Sequence, residues 1–223
     1  MFSKTGRKAL RTFGDHPAGE VRTLVDVGAA RGDYVARAAL VFPLERAVMV
    51  EARPEAADAI RARFLGDKRF SVIGAAVSDI RGKTVFHVNE EADSSSMLVI
   101  NRSVSEGTFG RSFGTVREIE VDTITLDELY RTERLDHVDL LKVDIQGAEK
   151  RLIAGGGEAL KKTASILLEV NFVRYYEGAP LFHEIDALMD AHGFRLRSLL
   201  KPKLDRSGRH LAYANALYLR HEP

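Results

Sequence analysis

Short, mainly apolar runs alternate with amphipathic stretches over most of this chain, and that alternation leaves few folds open. The runs are TLVDVG at 23–28, AVMVEA at 47–52, RFSVIGAAV at 69–77, VDLLKVDI at 138–145 and ASILLEVNF at 164–172. Compact apolar runs of this kind suit strands buried on both faces, as in a parallel sheet. Between them, DYVARAALVF (33–42) places Tyr34, Val35, Ala38, Ala39 and Phe42 at helical spacing, and PEAADAIRARF (54–64) opens on a proline; both read as helices. TLDELY (125–130), AEKRLIAGG (148–156, stopped by Gly155–Gly157) and PLFHEIDALMDAHGF (180–194) complete the helical set. FRLRSLL and NALYLR close the chain as two strands around the polar turn region KPKLDRSGRH. With no helix between them, one should run antiparallel at the sheet edge. The interval 79–121 departs from the pattern: DIRGKTVFHV and GTVREIEVDTI alternate with period two around a Ser/Gly-rich stretch, predicting a β-hairpin-like insertion. The expected class is α/β, a mostly parallel sheet with helices on both faces.

The length, 223 residues, suits one domain over 21–223, preceded by an N-terminal basic arm or helix over 1–20. In that arm Phe2, Leu10 and Phe13 lie beside Lys4, Arg7, Lys8 and Arg11, which reads chiefly as a solvated charged face. Thirty-three Lys and Arg against 32 Asp and Glu leave a net charge of +1, so no basic excess argues for a nucleic-acid partner. Zero cysteines exclude a thiol nucleophile and thiolate zinc sites. No apolar stretch has the length of a membrane span, and the N-terminus lacks the apolar centre of a secretory signal. The expectation is a cytoplasmic protein with a small-molecule substrate; the oligomeric state stays open, a homodimer being one option.

In an open α/β sheet ligands bind beyond the carboxyl ends of the strands, at the switch in strand order. The first strand ends in Asp26-Val27-Gly28-Ala29-Ala30-Arg31-Gly32-Asp33-Tyr34. Small residues there let a ligand approach the backbone, but the spacing is G-x-x-x-G and not the dinucleotide G-x-G-x-x-G. The second strand ends at Glu51, whose carboxylate suits the two hydroxyls of a ribose; the other reading is an ordinary charge at a helix start, and the nearby glycine turn favours the ribose. Asp144, Gln146, Gly147 and Glu149 crowd the turn after VDLLKVDI, while Glu169 and Asn171 end the neighbouring strand. Polar groups from two strand ends would then converge on one cleft, or Lys142 and Glu149 merely cap or pair with neighbours.

VDVGAARGDY (25–34), VEARP (50–54), AAVSDIRG (75–82), VDTITLDEL (121–129), LLKVDIQGAEKRLIAGG (140–156) and LLEVNF (167–172) occur in an order that resembles the FkbM-type methyltransferases, a branch of the class I S-adenosylmethionine-dependent enzymes. The resemblance implies a Rossmann-like, seven-stranded, mostly parallel sheet with the last strand antiparallel. It implies a cofactor site of Asp26, Gly28, Ala29, Ala30, Arg31, Gly32 and Tyr34 around the methionine part, Glu51 and Ala52 at the ribose, and Ala75, Ala76 and Asp79 along the adenine. Asp144 and Gln146 would face the methionine end and the acceptor. Two positions depart from the usual family residue: Ala30, commonly Asn, and Gln146, frequently Glu.

Methyl transfer to a hydroxyl of a sugar or secondary metabolite needs alignment of donor and acceptor, and removal of the hydroxyl proton by a base or through a metal. Asp144, His183 and Glu169 are the expected catalytic residues, with His210 and Tyr175 as further candidates. No metal is expected, although Asp144, Glu169 and Asn171 offer oxygen donors of the type Mg²⁺ takes. The polar stretch 90–116 reads as a mobile lid or acceptor-binding loop, against plain loop disorder. Gly28→Val and Glu51→Ala are expected to weaken cofactor binding while sparing the fold. Two other functions stay open, a nicotinamide-dependent oxidoreductase and a catalytically silent cofactor-binding or scaffold domain.

Overall fold

The computed structural model describes residues 21–110 and 114–221; the N-terminal arm expected over 1–20 lies outside them. The first half of the sheet is β1 (Thr23–Val27), β2 (Arg46–Val50) and β3 (Phe70–Ile73), and the second half is β7 (Val138–Val143), β8 (Thr163–Asn171), β9 (Phe194–Leu204) and β10 (Leu211–Arg220). Their order across the sheet is β3-β2-β1-β7-β8-β10-β9. β1, β2, β3, β7 and β8 are mutually parallel, and β10 runs antiparallel between β8 and β9. The expected α/β class and seven-stranded sheet are borne out. So is the last strand, β10, as the antiparallel one, although it lies inside the sheet and leaves β9 at the edge. Chain order reverses between β1 and β7, so a crevice opens beyond their carboxyl ends.

Two apolar layers hold the helices to the sheet. On one face α1 (Asp33–Ala38) and α2 (Pro54–Arg63) bury Val35, Ala38 and Ile60 against Leu24, Met49, Leu140 and Leu217. On the other, α4 (Leu126–Thr132), α5 (Glu149–Ala154), α6 (Gly157–Lys161) and α7 (Phe182–Ala191) seat Leu129, Leu152, Leu160 and Ile185 on Val25, Leu141 and Leu168. Burying each such side chain contributes about 1.5–3 kcal/mol. Among the described residues no helix is long and apolar enough to cross a membrane.

Three local expectations need correction. The run 69–77 is two strands: after β3 the chain breaks at Gly74–Ala75, and β4 (Ala76–Val77) leaves the main sheet to pair with β6 (Thr115–Ile124). The first helix stops at Ala38, four residues early, where Val41 and Phe42 turn back to donate to the Ala38 carbonyl. The insertion is more ordered than a loop. β5 (Gly82–Asn89) pairs antiparallel with β6 as a hairpin-like frame, and a 3₁₀ turn (Ala92–Ser94) and helix α3 (Arg102–Phe109) fill the connection. Asn101 caps α3 by accepting from the Val104 N–H at 3.2 Å, and Gly110 ends it with φ 75°.

Candidate functional site

Beyond the carboxyl ends of β1, β2 and β7 lies a cleft of about 370 Å³, within the range of small-molecule sites. Its wall at β1 is the loop Gly28–Gly32. The N–H groups of Gly28 and Ala29 both donate to the Val50 carbonyl, at 2.9 and 3.0 Å, tying the loop to the end of β2. A Cβ on Gly28 would stand 1.9 Å from the Asp144 carbonyl oxygen, so only glycine lets β1 and β7 close at this point. The expectation that Gly28→Val spares the fold is therefore overturned.

Glu51 is buried where the cleft passes from β1 to β2. One oxygen accepts from the Ala30 N–H at 2.8 Å; the other accepts from the Arg53 backbone N–H at 3.1 Å and its Nε at 2.9 Å. Arg53 thus offsets much of the cost of burying the charge. Ala30 and Gln146, the two departures from the usual family residue, both have positive φ, at 51° and 55°. Asn visits that region more readily than Ala, which accounts for its use at the first position.

The end of β7 carries a cluster of three charged groups, Lys142, Asp26 and Asp144. Lys142 Nζ lies 3.0 Å from Asp26 Oδ1 and 3.7 Å from Asp144 Oδ2, donates to the Gly28 carbonyl at 3.1 Å, and sits 5.7 Å from the Tyr34 ring centroid. Burial works against the Lys142 charge, yet Asp26 and Asp144 outweigh it and raise its pKa. Burial raises the Asp26 carboxyl, and Lys142 opposes that shift. Asp26 is fully buried beneath the cleft and does not line it. Its partner Lys142 lines the cleft in its place.

Gln146 joins this cleft to a second chamber of about 220 Å³ between the insertion and the loop after β8. Its Nε2 donates to Asp144 Oδ1 at 2.7 Å and lies 3.5 Å from Glu169 Oε1. The Tyr176 hydroxyl lies 2.9 Å from Gln146 Oε1 and 2.7 Å from the Ser94 carbonyl, sharing its proton between them. A carboxylate at position 146 would meet two others at those distances; the amide donates to them. Burial, then Asp144 and Glu149, push the Glu169 carboxyl well above the usual carboxylate range. Burial also lifts Glu149, to about 7. The insertion closes the chamber: Asn101 N–H donates to the Tyr175 carbonyl at 2.6 Å and Glu177 N–H to the Val99 carbonyl at 2.9 Å. Arg31 of the glycine loop reaches Asp93 of the 3₁₀ turn at 3.1 Å.

Of the residues expected at the cofactor site, Gly28, Ala29, Ala30, Arg31, Tyr34, Glu51, Ala52, Ala75, Ala76, Asp144 and Gln146 line the cleft. Asp26, Gly32 and Asp79 do not: Gly32 is packed by Phe64, and exposed Asp79 accepts from Ser78 Oγ at 2.8 Å. Of the expected catalytic residues Asp144 lines the cleft and Glu169 the chamber, whereas His183 is exposed on α7 and lines neither. His210 is also exposed, and Tyr175 lines the chamber. Among the three oxygen donors considered for a metal, Gln146 Nε2 lies between Asp144 and Glu169, and Asn171 lines neither cavity. Among the described residues no group of three or more His, Asp or Glu is arranged to hold an ion. Sequence reasoning expected the stretch 90–116 as a lid or acceptor-binding loop but did not name Phe86, Asp93, Ser95 and Met97, which the insertion brings to the cleft, since a long-range fold-back leaves no local spacing. Lys142 was legible in part, because its period-two relation to Asp144 places both on one side of β7.

This strand order with its cleft at the β1/β7 switch defines a class I methyltransferase fold. Residues 26–196 match the family model described as the methyltransferase FkbM domain, and the chain belongs to that family. It is 32% identical over 173 residues to the 2-O-methyltransferase NoeI of Sinorhizobium fredii, a match covering 74% of this chain and 70% of NoeI. The fold is similar to that of methyltransferase FkbM from Methylobacillus flagellatus, with a TM-score of 0.58 and 16% identity over 92% of this chain; the chain spans 45% of that protein's length. It is also similar to the mitomycin 7-O-methyltransferase MmcR, with a TM-score of 0.51 and 14% identity, covering 97% of this chain and 54% of the other.

Proposed function

We propose that this methyltransferase uses S-adenosylmethionine to methylate a hydroxyl of a sugar or secondary metabolite. The observation that carries the reading is that Gln146 lines both a cofactor-sized cleft, which Glu51 and Asp144 also line, and a second chamber lined by Glu169. The donor set fits the cofactor. Glu51 would accept from the ribose hydroxyls with its remaining lone pairs, Val50, Val77 and Phe86 offer apolar surface for a flat base, and Asp144 offers a carboxylate to the cationic end. Bound there, S-adenosylmethionine supplies an electrophilic methyl group on a sulfonium. The likeness to a 2-O-methyltransferase supports a hydroxyl acceptor.

The chain's own work is alignment and proton removal. Lys142 holds Asp144 and the glycine-loop carbonyl in fixed relation, and Gln146 keeps Asp144 and Glu169 apart by donating toward both. Glu169, which lines the chamber, would take the proton of the acceptor hydroxyl. Its raised pKa makes it a stronger base than an ordinary carboxylate. A base must be deprotonated, so kcat/KM should fall as pH drops through that raised pKa. Methyl transfer from labelled cofactor to sugar acceptors tests this. Glu169→Gln should lose about 10²–10⁴ in kcat and the acid limb with it; an unchanged profile in the variant removes Glu169 as the base.

A further inference from the structure

The cleft extends beyond the glycine loop, on the side of the sheet away from Glu51. Its floor there runs from Lys142 to Leu167, the neighbour of Lys142 on β8, and on to Asn215 of β10 and Leu200, the neighbour of Asn215 on β9. Tyr34 and Arg37 reach it from α1, and Lys201 reaches it from β9. An irregularity of the backbone presents Lys201. Asn215 pairs with Leu200 and Tyr213 with Lys203, so Lys201 and Pro202 stand opposite Ala214 alone, a β-bulge. Lys201 has φ 49°, in the left-handed region that a non-glycine residue seldom adopts, although the residue before a proline is ordinarily extended. Bulges re-aim side chains beside binding sites, and strain of this kind points to a use for the side chain it positions.

The charges of the cleft set this end apart. Arg53 is held by Glu51, Lys142 by Asp26 and Asp144, and Arg31 by Asp93. Arg37 has a long contact of 3.8 Å to Asp33 Oδ2, a carboxylate that Arg63 already holds at 2.6 Å. Lys201 makes no ion pair among the described residues. Partial burial, and then the Arg37 guanidinium, lower its pKa. Two cations brought together at one end of a cleft repel, and an anion bound by both relieves that repulsion.

We propose that Lys201 and Arg37 are the carboxylate-binding end of the cofactor site, holding the carboxylate of the methionine part while Asp144 faces the cationic end. The inference rests on the S-adenosylmethionine reading above and adds two residues to it. A carboxylate accepts from an ammonium and a guanidinium at once, and such charge-assisted hydrogen bonds are stronger than neutral ones. Glu51 would then grip the ribose and this pair the amino-acid tail. The sulfur lies between those two parts of the molecule, so the two grips together fix where its methyl group points.

Calorimetric titration of the full chain with S-adenosylhomocysteine and with its decarboxylated form, which keeps the amino group, tests this. Wild type should bind the intact ligand at least about ten-fold more tightly than the decarboxylated one. Lys201→Met and Arg37→Met should each weaken S-adenosylhomocysteine about five-fold or more, and should leave the decarboxylated ligand within about two-fold of its wild-type affinity. Lys201→Gly relieves the left-handed backbone and removes the charge, so it should lose the same affinity while its thermal melt shows a folded chain. Wild-type affinity for S-adenosylhomocysteine in both Met variants, or an equal loss for the two ligands, would overturn the assignment and leave the cofactor reading standing. A chain that binds neither ligand overturns the cofactor reading and this assignment with it.

Discussion

Gly28 shows how one residue type can be fixed by two needs at once. Its φ of 79° lies in the region side chains avoid, and the Asp144 carbonyl leaves no room for a Cβ. Gly28→Ala should therefore destabilise the chain by about 3 kcal/mol or more in urea denaturation; a loss below about 0.5 kcal/mol would mean the loop moves aside. The glycine and its place after β1 were legible in the sequence, but its reason was not. The sequence reading gave Gly28 a ligand to admit, whereas the first thing it admits is a backbone carbonyl 116 residues away. Asp26 misled similarly, because a strand-end carboxylate looks the same whether it faces a ligand or pairs downward with Lys142. The Asp26↔Lys142 register across β1 and β7 decides that, and register is a tertiary fact.

At the scale of elements, the turn from β7 into α5 both lines the cleft and starts a helix. Glu149 opens α5 and accepts from the Gly147 N–H at 3.3 Å and the Ile145 N–H at 3.4 Å, fixing the turn that presents Gln146. Its carboxyl titrates near 7 in the folded chain against an ordinary 4.5, chiefly through burial. The folded state thus holds this proton more tightly than the unfolded one. The contribution to stability is fully present below about pH 4.5 and is lost as pH rises through about 7. Glu149→Gln keeps an acceptor and carries no charge, so its stability relative to wild type should rise between pH 5 and 8, by an amount on the order of 3 kcal/mol at most. Thermal melts across that range check it, and a difference flat with pH would contradict it. The insertion was half legible. Period-two alternation revealed β5 and β6, but Ser, Gly and Thr in RSVSEGTF hid α3, although Asn101 and Gly110 mark its two ends.

For the whole molecule, the mostly parallel sheet was the most legible property, because apolar runs buried on both faces read the same in sequence and in structure. The two-cavity layout was the least legible. It forms only when the insertion folds back over the loop after β8, through the Ile100–Tyr176 bridge and the Asn101–Tyr175 hydrogen bond. His183, attractive in a linear reading, lies outside both cavities for the same reason: α7 packs under the sheet and carries it away from the strand ends. What remains common to every scale is a cleft built around Glu51, and with it the claim that this family member uses an adenosyl cofactor. Calorimetric titration of the purified chain with S-adenosylhomocysteine and, separately, NAD tests that claim most directly. Micromolar binding of S-adenosylhomocysteine, weakened in Glu51→Ala by the about 1.5–3 kcal/mol of a charge-assisted hydrogen bond, with no heat from NAD, is the predicted result. Binding of NAD alone, or wild-type S-adenosylhomocysteine affinity in Glu51→Ala, would contradict it.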